Sequence, residues 1–210
     1  MLRVSDITSF LSCPRLAYFR IHNSLEEVNE YHAVREIYLS LRKGYDYEWA
    51  LERFLTLYPE KKSIFTAASS KFKFSEELDK LRPIAWEVTF KSDKYNLKGI
   101  VDEIVEGNRF LLVMLRKKKD DFTFKERMRL AATSVISGMK EGFVYYAYDG
   151  FLALYELSRR DKYDLLRIIE KLRKIESGFL PEKRESKRCE FCLYRDDCDS
   201  KPQTFASRFF

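Results

Sequence analysis

Four cysteines, and no others, stand at opposite ends of the chain: Cys13 near the start, and Cys189, Cys192 and Cys198 within RCEFCLYRDDC. The two residues between Cys189 and Cys192 let one tight turn present both sulfurs to a single centre, and Cys198 follows at C-x5-C spacing. Three ligands leave a coordination position open, so the fourth must come from elsewhere, and Cys13 is available. A fold that uses all four brings its ends together and closes a very long loop. The spacing alone fits zinc and an iron–sulfur cluster equally; three free thiols near a frayed terminus are the plain alternative.

At 210 residues, with 45% hydrophobic and 34% charged positions, the chain has material for one domain, 1–210, with an ordered core. Lys and Arg exceed Asp and Glu by 39 to 33 and the sequence pI is near 9.0, which makes a polyanionic partner plausible. A single glutamine, Gln203, beside abundant Lys, Arg and Glu resembles thermophile composition. No apolar run is long enough for a membrane span, and Met1 to Phe19 carries Arg3, Asp6 and Arg15 where a signal peptide needs apolar residues. These features predict a cytoplasmic protein, where cysteines serve metals more often than disulfides.

Along the chain, residues 1–83 read as mainly helical, with short pieces either side of Cys13-Pro14, a helix over Leu25 to Lys43 containing His32, and another over Tyr47 to Leu57. Residues 84–160 read as a sheet core with a helix. Ile84 to Phe90, Tyr95 to Val105 and Phe110 to Leu115 form three antiparallel strands, Phe124 to Lys140 a helix, and GFVYYAY and FLALYEL a hairpin around Asp149-Gly150. Residues 161–210 read as an amphipathic helix, Asp161 to Ser177, and the cysteine tail, giving an α/β (α+β) class with a mixed central sheet flanked by helices.

The stretches ITSFLSCPRLAYFR, NEYHAVREIY, WEVTFKSDKYNLKGIVDEIV, GFVYYAYDG and RCEFCLYRDDC, in this order, resemble the CRISPR-associated RecB-like nucleases of the Cas-four family and span nearly the whole chain. The resemblance implies a PD-(D/E)XK, restriction-endonuclease-like core and a [4Fe–4S] cluster on Cys13, Cys189, Cys192 and Cys198, favouring iron over zinc. It also implies a metal-dependent nuclease acting on DNA during spacer acquisition, together with a CRISPR integrase. In that family a helical His, a strand Asp and a Glu on the next strand hold Mg²⁺ or Mn²⁺, with a Lys two residues beyond the Glu.

His32 and Asp102 match the first two positions, but Met114 stands at the Glu position and Arg116 at the Lys position. Arg129 and Thr133 stand where the family has a Gln and a Tyr. A thioether is a poor ligand for a hard cation, and arginine cannot replace a tunable lysine. The expectation is a degenerate nuclease centre in which Asp102 accepts a salt bridge from Arg116, with Glu87 as the best displaced carboxylate. Lost acids and gained bases turn a cutting site toward a DNA-holding one, through Arg116, Lys117, Lys118, Lys119 and Arg129. The alternatives are an active exonuclease or endonuclease of the same family and a structural or decoy subunit that binds the integrase alone.

Overall fold

Strand propensity is concentrated between residues 83 and 114, and that segment builds the centre of the molecule. The computed structural model describes residues 1–23, 27–117 and 120–201. In chain order the elements are β1 (Leu2–Arg3), α1 (Val4–Ser12), α2 (Pro14–His22), α3 (Glu30–Arg42), α4 (Tyr47–Leu57) and α5 (Lys62–Ser69). A short 3₁₀ turn, Glu76–Lys80, leads into β2 (Pro83–Ser92), β3 (Leu97–Val105) and β4 (Arg109–Met114). Then come α6 (Phe124–Ser137), β5 (Glu141–Tyr146), β6 (Phe151–Glu156), α7 (Arg159–Glu176), a 3₁₀ turn at Lys187–Phe191, and α8 (Arg195–Ser200).

One mixed sheet holds all six strands. Antiparallel β2 covers β3 along its length; on the other side β3 meets β1 in parallel at Leu97 and Lys98, and β4 antiparallel at Glu103 to Val105. The hairpin between β3 and β4 is a three-residue loop, Glu106-Gly107-Asn108. Its positive φ values, 83° at Gly107 and 54° at Asn108, explain the Gly-Asn pair. The parallel β4–β5 pair needs a crossover, and α6 supplies it. A Thr123/Glu126 capping box starts α6, and Gly138, at φ 76°, stops it three residues earlier than the apolar spacing suggests.

β4 explains where the core sits. Leu111 and Val113 pack with Val34 and Ile37 of α3, Phe54 of α4 and Phe65 of α5. Phe110, Leu112 and Met114 pack with Leu130 of α6, Val144 and Tyr146. A strand buried on both faces reads as a continuous apolar run, as FLLVM does. A further cluster joins α1, α6 and α7 through Ile7, Met128, Leu165 and Leu172.

The α/β reading holds, with a mixed sheet between helices. Neither β1 nor α5 was legible: a two-residue parallel strand leaves no pattern, and KSIFTAAS has no side-chain N-cap. Ile100, two residues before the buried Asp102 on β3, is exposed.

Candidate functional site

Helix α3 delivers the polar side chains that meet the sheet. Its N-terminus is fixed by Asn29, whose side chain accepts from Tyr31 N at 3.0 Å. From there Tyr31, Arg35, Tyr38 and Arg42 recur at i, i+4, i+7 and i+11, one stripe of the helix. Tyr38 Oη donates to Glu103 Oε2 at 2.6 Å, and Arg42 Nη2 donates to Glu103 Oε1 at 2.6 Å, so Glu103, fully buried, is a paired structural carboxylate.

Asp102 lies where two strands part. Backbone pairing of β3 with β4 ends at Glu103 opposite Leu111, and Val113 N–H turns to Asp102 Oδ2 at 2.9 Å. Arg35 Nε donates to Asp102 Oδ1 at 2.5 Å, while Arg35 Nη1 lies 3.2 Å from Glu87 Oε1. Glu87 is set in register opposite Asp102, between the pairs Trp86 with Glu103 and Val88 with Val101. It has φ 55°, a left-handed conformation that costs energy in a non-glycine residue and re-aims its side chain. Lys43 at 3.4 Å and Arg53 at 4.0 Å also flank Glu87.

Burial alone would loosen the proton on Arg35, but the charge and hydrogen bond of Asp102, then Tyr31 and Glu87, outweigh it, so Arg35 is held more firmly protonated than usual. Arg129 behaves likewise: desolvation opposes its charge, and Tyr31 and Asp102 restore it. Its Nη2 donates to Tyr31 Oη at 2.7 Å, and its guanidinium lies 5.2 Å from the centre of that ring. Two arginines thus neutralise the surroundings of Asp102.

A divalent ion does not fit this arrangement. The guanidinium of Arg35 already bridges the two carboxylates that would hold it, and both Asp102 oxygens have a donor. Among the described residues no three His, Cys, Asp or Glu side chains converge closely enough to hold a single metal ion.

Several expected placements change. The partner of Asp102 is Arg35, not Arg116: Arg116 is exposed beyond the end of β4, 5.5 Å from the ring of Tyr148. His32 stays at the start of α3, where its Nδ1 accepts from Asn29 N at 3.2 Å and its ring meets Tyr58 edge-on. Met114 fills the apolar cluster around Leu130 and Tyr146. The register sets Asp102 level with Leu112, and Met114 lies two residues further along β4. Thr133 is buried, with its hydroxyl donating to Arg129 O at 3.0 Å. Lys117 lies 4.4 Å from the ring centre of Phe151, and its backbone N–H donates to Asp149. Lys118 and Lys119 lie outside the described residues.

Arg35 carried no motif. The signal that could have found it is its position four residues after Tyr31, on a helix stripe facing a buried Asp that needed a cation.

The cysteines form a second site. Cys13 caps both α1 and α2, since Pro14 takes the first helical position of α2 and leaves Cys13 extended at the junction. The tail folds back on α2: Tyr194 stacks on Phe19 with centroids 5.3 Å apart, and its Oη donates to Asn23 O at 3.3 Å. As a result Cys13, Cys189, Cys192 and Cys198 line one cavity of about 40 Å³, together with Arg15, Lys183, Arg184 and Arg195. None of the four is in a disulfide. Arg15 is almost wholly buried there; its Nε donates to Pro181 O at 2.9 Å and its Nη1 to Cys198 O at 2.8 Å, with Cys198 Sγ at 3.5 Å. Its Nη2 has no acceptor among the described residues. A cavity lined by four thiols and four cations, one of them paired with the lining Asp199 at 2.7 Å, with a buried donor left over, fits an anionic, sulfur-rich group such as an iron–sulfur cluster.

No protein-family model matches the chain. A solved protein of Eubacterium rectale, provisionally named an exonuclease, superposes with a TM-score of 0.63, covering 97% of this chain and 90% of its own at 15% identity. That likeness gives the chain a nuclease-like fold. An uncharacterized protein of Archaeoglobus fulgidus is 36% identical over 213 residues and spans the full length of both chains. With identity at that level along its entire length, the chain belongs to the same family as this archaeal protein.

Proposed function

We propose that this protein is a nuclease-fold module that holds nucleic acid without cutting it, and that its four cysteines carry a [4Fe–4S] cluster. One observation carries the first part: the Arg35 guanidinium lies between Asp102 and Glu87, where a nuclease of this fold would need a divalent ion. A cation that is part of the chain can attract a phosphate but cannot activate a water for hydrolysis. Arg116 and Lys117, each beside an aromatic ring, add charge and stacking surface at the end of β4.

The cysteine reading is supported by the cavity that all four cysteines line. When bound, the cluster would supply a cross-link between α2 and the tail; it has no part in hydrolysis. A place in CRISPR adaptation, on DNA or on the integrase, rests on the sequence resemblance alone and is part of the proposal.

The test is a cleavage and binding assay on the cluster-loaded protein. Single-stranded DNA incubated with Mn²⁺ or Mg²⁺ stays intact, and binding weakens with salt, with a slope of about −0.7 per phosphate contact. Replacing Arg116 and Lys117 by alanine lowers that slope. Degradation that disappears in Asp102→Ala would overturn the proposal in favour of an active enzyme. Salt-independent failure to bind DNA, with co-purification of the integrase, would instead favour a protein-binding subunit.

A further inference from the structure

We propose that Arg15 is the positioning residue of the cysteine cavity: its free Nη2 donates to a sulfur of the bound cluster, while the rest of its guanidinium clamps the tail. The inference rests on the reading of the four cysteines as a cluster site.

Arg15 is the second residue of α2 and follows Cys13 by two positions, so the helix that presents the first thiolate also presents this cation. It is 1% exposed, which is costly for a guanidinium unless its donors are used. Three donor contacts are accounted for on the tail, at Pro181 O, Cys198 O and Cys198 Sγ. Those contacts fix the plane of the guanidinium, and the residue lines the cavity bounded by all four cysteines. Nη2 is left buried with no acceptor among the described residues, in a residue that lines the cavity together with the four cysteines, three further cations and Asp199. The Asp199 carboxylate lies 2.7 Å from Lys183 Nζ, so thiolates and sulfides are the acceptors left for Nη2.

The consequence is electrostatic as well as structural. Taking up one electron, from dithionite for instance, adds one negative charge to the cluster and its thiolates and breaks no bond. A buried cation donating a hydrogen bond to sulfur favours that more negative form, and so raises the reduction potential. A residue that only fastened the tail would affect how long the cluster survives but not its potential.

Iron and sulfide analysis of the wild-type protein comes first; absence of both would remove the cluster reading and this proposal with it. Given a cluster, a dithionite titration followed by absorbance compares wild type with Arg15→Met and Arg15→Lys. The expected result is a potential shifted to more negative values in Arg15→Met and by a smaller amount in Arg15→Lys. An iron chelator should strip the cluster several-fold faster from Arg15→Met than from wild type. Where Arg15→Met fails to fold, the shift in Arg15→Lys decides. A cluster present at full occupancy with an unchanged potential in the folded variants would overturn the role of Arg15 while leaving the cluster reading intact.

Discussion

Arg35 carries the consequences at the scale of single residues. It neutralises Asp102, which is 2% exposed, and reaches Glu87 with the same group. Removing one partner of a buried ion pair leaves the other charge without compensation, so Arg35→Ala should destabilise the protein by about 3 kcal/mol in urea unfolding. Asp102 and Glu87 would then face each other across adjacent strands with no cation between them. Added Mn²⁺ should therefore recover part of that loss in Arg35→Ala while leaving the wild-type midpoint unchanged. Glu30 gives a second handle. Hydrogen bonds from Lys71 and then Tyr148 hold its carboxyl below the usual range. A depressed folded-state value means the contribution is complete above the unfolded value near 4.5 and is lost as pH falls through the lower folded one. Glu30→Gln should accordingly be less stable than wild type at pH 7, and the difference should shrink below pH 4.5. At this scale the sequence was legible only in part. A buried Asp102 demanded a cationic partner, and the requirement held; but the arginine nearest in a strand alignment, Arg116, is not the one a helix stripe brings across the sheet.

At the scale of elements, the hairpin, the crossover helix and the amphipathic α7 could be read because each rests on local rules: period, cap and turn chemistry. The placement of β5 beside β4 depends on something more specific, the fit of Gly142 under Phe110. A Cβ at Gly142 would come within 2.2 Å of the Phe110 ring, which is itself fully buried. Gly142→Ala should cost about 1–3 kcal/mol through displacement of that ring, measurable as a lowered urea midpoint with an unchanged slope. What the local rules could not give was the parting of β3 from β4 ahead of Glu103. Nothing in VDEIV or FLLVM marks it; β4 stays paired with β5 from Phe110 to Met114 while its pairing with β3 stops at Leu111, which frees Val113 N–H for Asp102.

At the scale of the whole molecule, the approach of Cys13 to the three later cysteines was the most legible feature, and all four line one cavity. The tail also has a contact of its own, the Phe19–Tyr194 stack, with Lys201 4.7 Å from the ring centre of Tyr18. Cys13→Ser and Cys198→Ser should therefore loosen the tail without unfolding the sheet. Limited proteolysis should show faster cleavage between residues 182 and 188, with the far-ultraviolet spectrum little changed.

The way the cysteine cavity is divided between the ends also dictates an order of manufacture. Cys13 precedes the sheet in the chain and its three companions follow it, so the sheet and all three apolar clusters have been translated before the cavity has its second cysteine. Under the proposed cluster reading, insertion is then a late event, carried out on a chain whose core is already in hand. A product that stops short of residue 189 offers one thiol of the four, whatever the state of its core.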